Sequence, residues 1–173
     1  PVSRYEWLTV SADVFLARYI SVVDCAMILV SEVFECGLSF EACTAQNLKK
    51  SSVPRVVLAH LWKMIEDQGL LRNERNRRFH HGSEREFSSD DPTFRVGALF
   101  EHRYSGMVGP NGRPISTEQL FREGLVELQR EFNSVMRTVV KQLDRLYDML
   151  FPEFEGRLTP RFSAGAFARQ GGI

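Results

Sequence analysis

Arg75-Asn76-Arg77-Arg78-Phe79-His80-His81-Gly82 is the stretch where basic, amide and imidazole side chains crowd together in this chain. Arginine suits phosphate because its planar fork donates two hydrogen bonds at once. Histidine changes charge near neutral pH and can give or take a proton. Together they meet the needs of RNA phosphodiester cleavage without a metal. One group moves a proton at the 2′-hydroxyl or at the leaving 5′-oxygen, and another stabilises charge on the phosphorane-like transition state. From Arg72 to Arg85, five Arg (72, 75, 77, 78, 85) stand against two Glu (74, 84), a local excess of +3 (five less two). Over the whole chain Lys+Arg and Asp+Glu are both 22, so the net charge is zero and the excess is local. Neutrality argues against coating nucleic acid by bulk charge, though not against a basic patch.

Helix geometry constrains how these groups cooperate. Asn76 and His80 are i,i+4 neighbours and share a face. Arg75 and His80 are five residues apart, roughly 140° around a helix axis. To act on one phosphate, Arg75 must reach around, the helix must break nearby, or a second subunit must supply the partner. A solvated basic helix end has the same composition, because Arg and His near a helix C-terminus are favoured by the macrodipole.

Arg75-Asn76-x-x-x-His80 resembles the R-N-x-x-x-H signature of the HEPN superfamily, and His81-Gly82 is similar to that family's usual continuation. These are small helical-bundle proteins, many of them ribonucleases of toxin, defence and RNA-processing systems. Others bind RNA or nucleotides without cutting, so whether the chain is an enzyme stays open. The resemblance implies an RNA-binding protein and metal-independent endoribonuclease. Arg75 would hold the scissile phosphate, Asn76 would position the site, and His80 would be the general acid or base. Arg72, Arg77, Arg78, His81 and Arg85 would extend the RNA-binding surface. It also implies a homodimer whose two motifs meet in one cleft, a cognate antitoxin as a further partner, and no metal or other cofactor.

The elements that must position this stretch read as helices. At 173 residues with 43% apolar content, the prior is one domain with a sizeable core. Pro1–Thr9 reads as a leader with Tyr5, Trp7 and Leu8 packing on the domain. A first helix starts near Ser11, a good N-cap residue. Its apolar face is Phe15, Tyr19, Val22, Val23, Ala26, Met27, Val30, Val33 and Phe34, and Gly37 is its natural stop. Leu38–Ser52 is a connector with room for a short helix. A second helix follows, capped by Ser51 or Ser52, with Val57, Leu58, Leu61, Trp62, Met64 and Ile65 on its apolar face. Gly69 leaves two courses open: a helix continuing to Phe79, or a stop that releases Leu70-Leu71 as a short strand. Glu84, Arg85 and Glu86 read as a solvated turn. Asp91-Pro92 starts a short third helix running to about Tyr104 and burying Phe94, Leu99 and Phe100. Ser105–Pro114 is a Gly/Pro loop.

Ser116-x-x-Gln119 is a capping-box pattern. It opens the longest periodic run: Phe121, Leu125, Leu128, Phe132, Val135, Val139, Leu143, Leu146 and Leu150. This suits a bundle helix or one paired across a dimer. Pro152 is its expected end. Residues 1–151 form the bundle and 152–173 a C-terminal tail, in which Phe154, Phe162 and Phe167 tuck onto the domain. The fold class is therefore all-α: an up-and-down helical bundle of three long helices and one short helix.

Cys25, Cys36 and Cys43 form neither a disulfide framework nor a zinc spacing and read as reduced buried thiols. His60 and His102 read as lone packing or surface groups. The apolar run Ile20–Phe34 is broken by Asp24 and Glu32 and is short for a membrane span, which takes about 20 residues. With no signal peptide visible, no membrane partner is expected and the cytoplasm is the default compartment.

Two competing readings remain. Residues 44–49, Lys50–Val53 and Pro54–Gln68 can be read as the helix, turn and recognition helix of a winged helix-turn-helix DNA-binding transcriptional regulator, with a wing tip at Arg72–His81. Its recognition helix would offer only Arg55, His60 and Lys63 to base edges. A non-catalytic helical interaction module using the last helix is the other reading. It is favoured if that helix keeps an exposed apolar stripe.

Overall fold

The computed structural model describes residues 2–100, 108, 112, 114 and 116–163, the side chains of 158 and 161–163 aside. His102, Tyr104, most of the Ser105–Pro114 loop, the Phe162 side chain and Phe167 lie outside the described residues. Those residues hold six helices and no strand beyond one isolated bridge between Val108 and Pro114. The helices are α1 (Arg4–Val33), α2 (Ala45–Leu48), α3 (Arg55–Asp67), α4 (Gly69–His81), α5 (Asp91–Phe100) and α6 (Thr117–Ser163). The chain is all-α, with more helices than the three long and one short that periodicity suggested.

Contacts divide the chain into two compact units. The first comprises Pro1–Ile20 with Leu70–Arg137, and the second Ser21–Gly69 with Thr138–Ile173. The first unit has a core of Tyr5, Leu8, Ala12, Phe87, Phe94, Ala98 and Leu128, with Leu120, Phe121, Leu125 and Phe132 packed against it. The rings of Phe87 and Phe94 meet Tyr5 edge-on, 5.5 and 5.4 Å between centroids. In the second unit the buried residues include Val23, Met27, Val30, Phe34, Val57, Leu61, Met64, Leu146 and Leu150.

The leader is helical. Ser3 Oγ accepts from the Glu6 N–H (3.2 Å) and Glu6 Oε2 accepts from the Ser3 N–H (2.8 Å), a reciprocal capping box at the head of α1. The Ser3 N–H, and after it the Ser3 hydroxyl, hold the Glu6 carboxyl below the usual range. Ser11, the expected cap, lies two turns inside the helix because Tyr5, Leu8 and Ala12 already follow its buried face. The other end stops earlier than Gly37. Glu35 takes a left-handed φ of 51°, its N–H donates to Glu32 O, and the Cys36 N–H donates to Ser31 O. This is a Schellman stop built on a glutamate. By length and composition α1 could cross a membrane, and 44% of its most apolar window is buried.

Other boundaries move for local reasons. Thr44 Oγ1 caps α2, accepting from the Asn47 N–H. No side chain caps α3, which starts after Pro54 rather than at a serine. Asp90, not Asp91, caps α5, receiving the Thr93 N–H on Oδ1. Asp91 turns inward, and the buried face of α5 is then Asp91, Phe94, Gly97 and Ala98. Leu99 (62% exposed) and Phe100 therefore face outward, contrary to expectation. Pro152 forgoes one backbone bond, yet α6 continues to Ser163. Beyond it Arg157 pairs with Glu35 at 3.1 Å, while Phe154 stays exposed rather than tucked in. Of the three thiols, Cys43 is buried, Cys36 intermediate and Cys25 exposed. Burial pushes the Cys43 thiol up, keeping it protonated.

Gly124 is tightly packed in the first unit. A Cβ there would sit 2.9 Å from Leu8 Cδ1 and 3.0 Å from both Phe87 Cβ and Phe87 O. Phe87 cannot easily yield, because its N–H donates to Asp91 Oδ1 at 2.7 Å. Gly124→Ala is expected to cost about 1–3 kcal/mol by overpacking. An unchanged urea midpoint would contradict this account of the core.

Candidate functional site

The Arg/His stretch lies on α4, which runs unbroken from Gly69 to His81. The helix is polar: Leu71 is its one buried residue. Arg78 anchors it further, with Nε donating to Asp13 Oδ1 at 2.6 Å and a side chain only 6% exposed. Gly82 ends the helix with φ 62°, its N–H donating to Arg78 O and the Ser83 N–H to Arg77 O. Arg78, His80 and His81 fill the last turn, where the macrodipole favours cations.

The eight candidate residues separate into different environments. Asn76 is half-buried and His80 exposed, one turn apart on a common face. Arg75 is half-buried on another face, and its Nε is enclosed without a hydrogen-bond partner. The helix does not break between Arg75 and His80, so one α4 does not bring these two groups together. Arg77 and His81 are exposed, and Arg72 is half-buried. Arg85 lies beyond the helix and is held by carboxylates: Nη1 donates to Glu74 at 3.0 Å, and Nη2 pairs with Glu131. Its guanidinium also lies over the Phe132 ring, 5.7 Å from the centroid.

This pairing changes the electrostatics read from the sequence. Asp13 and Glu131 bring two negative charges to the stretch and lower the local +3 to +1. Arg78 and Arg85 are occupied, so the Glu84–Glu86 turn is only partly the solvated turn expected. Arg95 pairs with Glu84 across the same turn.

Asp91 fixes the loop that follows α4. Tyr5 Oη donates to Asp91 Oδ2 at 2.8 Å, and the Phe87 N–H donates to Asp91 Oδ1. Tyr5 Oη also lies 3.3 Å from Arg85 O. Burial, reinforced by the Asp91 contact, pushes the Tyr5 hydroxyl well above its ordinary range. A cleft of about 660 Å³ opens beside this loop, lined in part by Arg85, Phe87, Ser88, Gly124 and Leu128. Arg75, Asn76 and His80 do not line it. Of the motif, Arg77, His80 and His81 stand exposed on the helix surface.

Sequence reasoning passed over Asp13 and Gly124, and gave Tyr5 a packing role and Asp91 a helix start without the bond that joins them. Asp13 carried a detectable signal, as an acid within an apolar segment. Elsewhere, His60 is a packing group as expected, its Nε2 2.8 Å from Gln142 O. No family model, no curated protein and no solved structure matches the chain.

Proposed function

We propose that this chain is a HEPN-like RNA-binding protein acting as a metal-independent endoribonuclease of a toxin, defence or RNA-processing system. The observation that carries the reading is α4 itself: a continuous helix with Asn76 and His80 on one face, closing at Gly82. Residues 72–81 are helical where a winged helix-turn-helix regulator needs a hairpin, although α2 and α3 do form a contacting helix pair.

In this reading His80 moves the proton at the 2′-hydroxyl or the leaving 5′-oxygen, and Asn76 orients the phosphate. The 2′-oxygen attacks phosphorus as the P–O5′ bond breaks, leaving a 2′,3′-cyclic phosphate and a 5′-hydroxyl. Arg75 neutralises the transition state from the second copy of a homodimer, because its own α4 turns it away from His80. The up-and-down bundle of the superfamily, a cognate antitoxin partner and a cytoplasmic location belong to the same proposal, with α1 as a core helix. The test is incubation with RNA in EDTA. Wild type cuts, and His80→Ala and Arg75→Ala do not. Intact RNA with wild type, or equal cutting by all three, rejects it.

One observation favours a second reading, a non-catalytic helical interaction module. On α6 within the second unit, Val140, Tyr147, Phe151 and Phe154 are all exposed. At about 100° per residue they fall within roughly 60° of one another, a stripe that a second copy would cover. If this stripe holds a dimer, Tyr147→Glu is expected to yield monomers by light scattering. An unchanged mass removes the stripe from the interface.

A further inference from the structure

We propose that Asn73, Arg77 and His80 form a continuous contact face for single-stranded RNA on α4, with Arg77 as the phosphate ligand supplied by the same chain as His80. This rests on the RNA reading above and adds two roles to it: a same-chain phosphate ligand and an amide, Asn73, not otherwise assigned to the site.

Helix continuity sets the geometry. At about 100° per residue, Asn73 lies roughly 20° from His80 around the axis, Asn76 roughly 40° and Arg77 roughly 60°. Arg75 lies roughly 140° away. Along the axis Arg77 is about 4.5 Å from His80 and Asn73 about 10 Å. Arg77 therefore reaches a phosphate at or next to the bond His80 acts on, and Asn73 reaches the neighbouring nucleotide.

Exposure and pairing select the same residues. Asn73, Arg77 and His80 are all exposed, whereas Arg75 is half-buried. Arg78 is occupied by Asp13, and Arg85 by Glu74 and Glu131. Arg77 has no carboxylate partner among the described residues. Glu74, the acid within α4, lies roughly 120° from His80 and is turned to Arg85. The face thus offers guanidinium, amide and imidazole groups, and the acid that borders it, Glu74, one turn from Arg77, is neutralised by Arg85. Amides on an open surface can bond the edges of unpaired bases, which a duplex hides in its grooves. Single-stranded RNA is therefore the ligand that uses the whole face.

The test measures binding of a short single-stranded oligomer with 2′-O-methyl sugars, which cannot be cut, by the full chain at several salt concentrations. Arg77→Ala is expected to weaken binding about tenfold and to reduce the salt slope by about 0.7. Arg77→Lys should keep the slope because it keeps the charge. Asn73→Asp, which places a carboxylate one turn from Arg77, should weaken binding at least as much as Arg77→Ala. Arg122→Ala is the control, an exposed arginine on α6 paired with Glu118, and should bind as wild type does. The proposal is overturned if Arg77→Ala keeps wild-type affinity and slope, or if Arg122→Ala loses as much. It is also overturned if the duplex form binds as tightly as the single strand. Wild type that cuts RNA with Arg77 dispensable defeats this proposal alone; wild type that neither binds nor cuts RNA defeats the RNA reading with it.

Discussion

His80→Ala is expected to lower RNA cleavage by about 10²–10⁴-fold, the usual contribution of a positioned proton-transfer group. The fold should survive, because His80 is exposed in the last turn of α4. Exposed substitutions of this kind usually change stability by less than about 0.5 kcal/mol. The loss should therefore fall on the chemical step, with binding of an uncleavable RNA reduced far less than the rate. Single-turnover cleavage in EDTA measures it. The 2′,3′-cyclic phosphate and 5′-hydroxyl ends identify the route, because attack by water would leave different termini. A His80→Ala protein that cuts at the wild-type rate rules out His80 as the proton-transfer group. Arg75→Ala should also lose cleavage, and it should gain no stability penalty from a broken ion pair, since its guanidinium has no carboxylate partner among the described residues.

Asp91→Ala is expected to cost about 3 kcal/mol of stability. Its carboxyl group receives the Tyr5 hydroxyl on one oxygen and the Phe87 N–H on the other. Hydrogen bonds to charged groups contribute about 1.5–3 kcal/mol each, and removing the acceptor leaves buried donors unmade. Asp91→Asn keeps the shape and one acceptor, so it should cost less. Chemical denaturation followed by tryptophan fluorescence reads both. Burial of the Tyr5 hydroxyl, with the Asp91 contact second, predicts a pH dependence. The Tyr5 hydroxyl is raised above its unfolded value of about 10. Its contribution is therefore fully present below about pH 10 and is lost as pH rises beyond that, where only the unfolded chain readily gives up the proton. Tyr5→Phe should be less stable than wild type at neutral pH and should show a flatter alkaline limb. Parallel alkaline limbs for the two proteins would contradict the linkage.

Helical periodicity made much of this fold legible in advance. The face Tyr19, Val23, Ala26, Met27, Val30 is buried as its spacing required, and so are Val57, Leu58, Leu61 and Met64. Steps of three and four report burial directly, because one face of a helix must find a core. Helix ends were read less well, since capping depends on one or two side chains. Ser3 and Ser11 are equally good caps by residue type, and only the Glu6 carboxyl bonded back to the Ser3 N–H distinguishes them. The stop at Glu35 was hidden because a left-handed glutamate has no compositional signature. At the candidate site the residue types could be read from sequence, and their availability could not. Arg78 and Arg85 look like Arg77 in sequence, yet they are bound to acids 65 and 46 residues away, Asp13 and Glu131. Long-range pairing of this kind leaves no trace in local spacing.

The geometry of α4 makes one claim central: Arg75 and His80 act together from different copies of the chain. Arg75→Ala and His80→Ala proteins carrying different tags should be co-expressed and purified through both tags, so that every dimer holds one of each. One of its two composite sites then has an intact Arg75 facing an intact His80. Such dimers are predicted to cut RNA in EDTA at about half the wild-type rate, whereas each variant alone is inactive. Mixed dimers as inactive as either variant, beside a wild type that cuts, would contradict the two-chain site.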